Sequence, residues 1–353
     1  MSKFIKQTIK DFLPVIIIST ILFLIIFMAY NLPKFALPVP NHYQGNVDLN
    51  MAIVISNLLV FPFALISMNY RYSVPASDFY MQAPYKSRTV RYTRLLTGLV
   101  SLLASISVAY LLSILVGIIV YTNNKTDDYL NISVLFLAYL AIVGLISLNY
   151  LTASFFMWLG NDHFSGIVIT FFLYLFLSLI FVGIKNYMTM VTQEYLFTVY
   201  PSEVCFSPLY ANTIIDKTFG EWLYKSDATL FEDQLNDTIS MIGYFVVTVA
   251  SSLLIFLLKE PSGEYNGKSQ PRHPIISYLP HVATLALSLC LMLAMGPTNK
   301  FTYFFVAPLS VVILFLFVLL GNKRKPSKID WIVIACTSVV FLGIFLPFGF
   351  ILD

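Results

Sequence analysis

The chain has 353 residues, of which 58% are hydrophobic and only 11% charged, and its mean hydropathy is +0.80. Soluble domains carry about 25% charged residues, so a water-soluble fold would lack the polar surface to cover itself. The composition points to a chain that crosses a bilayer many times and leaves no room for a fused soluble motor.

A helix needs about 20 apolar residues to cross the hydrocarbon core. Nine such runs are read: Phe12–Asn31, Met51–Asn69, Leu95–Tyr121, Leu130–Trp158, Phe164–Ile184, Thr238–Leu258, Leu279–Met295, Thr302–Gly321 and Trp331–Leu352. The expected fold class is thus an all-α polytopic membrane protein with about nine transmembrane helices. The first run is long and contains Pro14, with no small-residue cleavage site after it, so it is read as a span and not a cleavable leader. Pro280 and His281 open the seventh run and Leu346-Pro347-Phe348-Gly349 closes the ninth, so either could be re-entrant.

Basic residues favour cytoplasmic connections. With the N-terminus in the cytoplasm, the inner segments hold 15 of the 21 Lys and Arg, including all six arginines, while 12 of the 18 acidic residues fall outside. The net charge of +3 is therefore split between a basic inner face and an acidic outer one. Two connections exceed a simple turn. The inner one, 70–94, carries five basic residues; the outer one, 185–237, has 53 residues and is aromatic and acidic. Short helices on the outer leaflet are expected there. A polar linker at 259–278, opened by Glu260-Pro261-Ser262-Gly263, divides a core at 1–258 from a three-span extension at 279–353.

The chemistry is informative mainly for what it lacks. None of the nine runs contains Asp, Glu, Lys or Arg. Carriers coupled to ions or protons need such groups at mid-depth, because coupling means binding a charge there. No phosphate-binding GxxxxGK[ST] loop, HExxH or CxxC is present; Cys205, Cys290 and Cys336 lie far apart. No metal or cofactor is expected on this chain. Uncharged polar groups do occur in the spans: Asn57, Ser101, Ser105, Asn149 and Thr152. They suit a weakly polar translocation surface; the plainer reading is hydrogen-bonded contacts between packed helices.

The inner loop offers more. Ser77 or Asp78 can cap a short helix after Pro75, Pro84 ends it, and Ser87 caps the helix that runs into the third span. On that helix Arg88, Arg91 and Arg94 recur every three residues, covering an arc of about 120° expected to form a basic rim. A knuckle beside a basic rim fits a groove on a soluble partner; the rival reading is a loop whose arginines meet anionic headgroups.

The stretch from Asp78 to Leu99 resembles the inner loop of type-2 ABC transporter permeases, with Asp78, Phe79, Tyr80, Ala83, Pro84, Ser87 and Arg88 at the corresponding positions. The resemblance implies a six-span exporter core over 1–258, with Asp78, Phe79, Tyr80, Pro84, Ser87, Arg88, Arg91 and Arg94 in the loop that couples to an ATPase. It implies an amphipathic helix over Met1–Asp11 on the inner leaflet. It also implies an ABC ATPase partner holding ATP and Mg, a second permease subunit (a copy or a paralogue), contact with membrane lipids, no nucleic acid, and a plasma-membrane location. The chain itself would not be an enzyme. Its expected cargo is amphipathic: a peptide, an antibiotic or a lipid-like molecule. The alternatives are a multi-span membrane transferase, for which Asp162-His163 at an inner turn is the support, and a membrane sensor or scaffold.

Overall fold

A computed structural model of the chain describes residues 2–36, 49–72, 86–124, 132–160, 162–171, 173–174, 176–178, 206–207 and 231–258, with isolated positions between 328 and 339. Long helices make up this part: α1 (Ser2–Ala36), α2 (Leu49–Tyr72), α3 (Ser87–Asn124), α4 (Ile132–Leu159) and α6 (Phe231–Leu257). A shorter apolar helix, α5 (His163–Ser178), lies between the last two. Among the described residues no strand occurs.

Four helical stretches are long and apolar enough to cross a membrane: Ile5–Ile25, Ser87–Ile119, Tyr139–Leu159 and Thr238–Leu257. They overlap the first, third, fourth and sixth expected spans. The second lies on α2, which carries Pro62 in its interior, and the fifth on α5. The seventh to ninth spans, the linker at 259–278 and most of the outer segment 185–237 fall outside the described residues.

The N-terminal expectation needs correction. Residues 2–11 are not a separate helix; they are the first turns of α1, which continues through Pro14 without a break. Burial explains the continuity. Thr8, Phe12, Ser19 and Phe23 form one unbroken buried stripe, while Pro14 sits on the exposed face. At about 1.5 Å per residue, α1 and α3 are each longer than 50 Å, well beyond a hydrocarbon core of about 30 Å. Both must project past it.

Helix α1 packs most extensively on α3 and also meets α2; α2 meets α3 and α4, and α4 meets α6. Aromatic contacts add α5, through Tyr174 against Phe61 of α2 and Phe156 of α4. The turn from α4 to α5 is tight. A Cβ on Gly160 would strike the backbone of Gly166, so the chain can reverse there only with glycine. Asp162 then caps α5: its carboxylate accepts from the Ser165 backbone N–H at 2.7 Å, and the Ser165 hydroxyl accepts from the Asp162 N–H at 3.2 Å. That reciprocal pair satisfies two donors of the first helical turn.

Large apolar side chains face outward all along the bundle, among them Leu13, Ile17, Leu115, Ile119, Val246 and Leu253. In water so much exposed apolar surface would drive aggregation; in a bilayer it is the lipid-facing wall.

Candidate functional site at the arginine end of the bundle

The starts of α1, α3 and α5 meet the ends of α2, α4 and α6 at one end of the bundle, and three arginines are buried there. Arg71 closes α2, and Arg91 and Arg94 lie on the first two turns of α3; none is more than 1% exposed. Burying a guanidinium is costly unless charge and hydrogen bonds compensate. Arg94 places its guanidinium 3.0 Å from the Asp11 carboxylate of α1, donates to the Ile66 carbonyl of α2 at 2.8 Å, and lies 6.0 Å from the Tyr70 ring. Arg91 donates to the Leu258 carbonyl beyond α6 at 2.6 Å. The Trp158 indole of α4 lies 5.2 Å from the Arg71 guanidinium and 5.7 Å from that of Arg91. An indole face is the best aromatic partner for a cation, and more so where water is excluded. Next to Arg91, the Tyr92 hydroxyl donates to the Phe256 carbonyl of α6 at 2.6 Å.

The first two turns of α3 therefore hold α1, α2, α4 and α6 at once. This changes the expected basic rim. Arg88 is exposed as expected, but Arg91 and Arg94 are turned into the bundle. Ser87 is the first residue of α3 and is half-buried. Asp78, Phe79, Tyr80 and Pro84 lie outside the described residues.

Of the polar groups expected in the spans, Ser101, Ser105, Asn149 and Thr152 are buried. Ser101 and Ser105 lie on α3; the Ser105 hydroxyl donates to the Ser101 carbonyl at 3.0 Å and lies 3.5 Å from the Ile16 carbonyl of α1. Asn149 of α4 accepts from the Tyr244 hydroxyl of α6 at 2.7 Å. Thr152 returns its hydroxyl to the Leu148 carbonyl one turn back, at 2.9 Å. Ser105 and Asn149 thus serve different interfaces. Asn57 is helical within α2, and its side chain is outside the described ones.

A second polar node joins α2, α3 and α4. The Ser67 and Tyr150 hydroxyls meet at 2.5 Å, with the Phe63 carbonyl 2.8 Å from Ser67 and the Leu95 carbonyl 3.0 Å from Tyr150. Two hydroxyl protons serve these three contacts. Gly98 makes the approach possible, because a Cβ there would collide with both hydroxyls.

The Asp162-His163 pair does not resemble a catalytic dyad. Asp162 is the helix cap described above, and His163 faces solvent, 2.9 Å from the Asn69 side chain and against the Tyr72 ring. Asp11 and Asp162, the carboxylates whose exposure is described, are both partly exposed, and among the described residues no cluster of His, Cys, Asp or Glu could hold a metal. The sequence reading missed Asp11, Arg71, Trp158, Tyr150 and Tyr244. For the tyrosines a signal existed: a Tyr inside an apolar helix needs a partner for its hydroxyl.

No protein-family model, no curated protein and no solved structure matches this chain.

Proposed function

We propose that the chain is the membrane subunit of an ATP-driven exporter of the type-2 ABC permease kind, driven by a separate ATPase docked on the inner loop. The observation that carries this reading is the joint at the start of α3. That helix begins directly after the loop, and within two turns Arg91, Tyr92 and Arg94 fasten it to four other helices. A push on residues 76–86 would reach the whole bundle through these contacts, since close-packed elements transmit displacement instead of absorbing it. That none of the apolar runs in the sequence contains Asp or Glu also suits a protein that does not couple transport to protons. In this reading the N-terminus and the arginine end face the cytoplasm of a plasma-membrane protein. A second permease subunit completes the path, ATP and Mg are bound by the partner, and the cargo is amphipathic.

The test is co-purification of the full chain with an ATPase from its own source membrane. Association should be lost when Phe79, Tyr80 and Arg88 are together replaced by Ala, while the helical content and elution profile of the chain stay unchanged. Association that survives the triple replacement overturns the docking assignment.

A further inference from the structure

We infer that the outer face at the start of α1 is a binding surface for anionic phospholipid headgroups. Lys6, Lys10, Leu13, Ile17 and Ile21 follow one another at spacings of three and four along α1, so they share one face. All five are exposed, and the opposite face, with Thr8, Phe12, Ser19 and Phe23, is buried in the bundle. The stripe is apolar from Leu13 onward and cationic immediately before it. Depth follows from helix rise. If the hydrocarbon begins at Phe12, Lys10 stands about 3 Å beyond it and Lys6 about 9 Å beyond, which spans the headgroup layer.

The Asp11–Arg94 pair sets α1 against α3, which brings the exposed Arg88 of its first turn, and the exposed Lys86 just before that turn, to a comparable height. Four exposed cations thus stand at headgroup depth on the two adjoining helix starts, α1 and α3, above apolar side chains that suit the upper acyl chains. A zwitterionic headgroup gains little from such a belt; an anionic one gains about fivefold in affinity per cation. The inference does not depend on the exporter reading, since it concerns only the lipid wall.

The experiment uses the purified full chain in bilayer discs of phosphatidylcholine containing graded phosphatidylglycerol, with bound lipid counted by native mass spectrometry after release. The wild-type chain should retain phosphatidylglycerol over phosphatidylcholine. K6Q/K10Q should lower that preference, by about fivefold for each lysine removed, and K6R/K10R should keep it. Both side chains point away from the bundle, and the arginine variant guards against a folding artefact. A wild-type chain without preference, or a preference unchanged in K6Q/K10Q, overturns the inference. So does a K6Q/K10Q chain that loses a protein partner but keeps its lipid preference, because the face would then serve that partner.

Discussion

Gly98 offers a sharp test of the packing among α2, α3 and α4. In Gly98→Ala the new methyl would enter the space held by the Tyr150 and Ser67 hydroxyls, with the Phe12 ring 3.0 Å from it. The hydroxyls must move, and the node of Ser67, Tyr150 and the Leu95 carbonyl opens. Two hydrogen bonds at about 1 kcal/mol each are placed at risk. Ala recovers about 1 kcal/mol over Gly in a helix interior, and overpacking adds about 1 kcal/mol or more. The net expected loss is about 2 kcal/mol or more. In a Ser67→Ala/Tyr150→Phe background both obstructing oxygens are gone, so the same substitution should be neutral or stabilising by up to about 1 kcal/mol. Reversible unfolding in mixed micelles, measured on the four proteins of the cycle, reads the coupling directly, expected at about 2–3 kcal/mol. Equal costs of Gly98→Ala in the two backgrounds would refute the reasoning, because the methyl would then not be meeting those hydroxyls.

Two further outcomes follow from the arginine end and the mid-bundle contacts. The Asp11→Asn and Arg94→Gln pair should show a coupling of about 1–3 kcal/mol in a double-mutant cycle, below the range for fully buried pairs because Asp11 is 29% exposed. Each single substitution should also raise protease access near the start of α3, and additive costs would mean that the ion pair holds nothing. Asn149→Ala and Tyr244→Phe should couple by about 0.6 kcal/mol, the usual worth of a hydrogen bond between helices in a membrane; a coupling near zero would show that the bond is not formed in the bilayer.

Span positions were legible because the need for about 20 apolar residues is a local property of the chain. Helices α1, α3, α4 and α6 carry the expected runs for that reason. The arginines show where local reading stops. A spacing of three steps each residue about 60° round the helix, so the same arc that places Arg88 outside carries Arg94 about 120° away from it, into the bundle. Which side is the inside depends on where Asp11, Ile66 and Trp158 stand, and these come from three other helices. The passage of α1 through Pro14 has the same tertiary origin. The proline's ring and missing N–H argue for a break, yet it falls on the exposed face of α1 while Thr8, Phe12 and Ser19 are held by the bundle on the other. Tertiary packing therefore decides both cases, and it does so through the same few turns. The start of α1 is joined to the start of α3 by the Asp11–Arg94 pair. In the proposed coupling, a force on the loop before Ser87 would therefore act on α1 together with α3, and so on the lysine-topped face proposed to meet the headgroups.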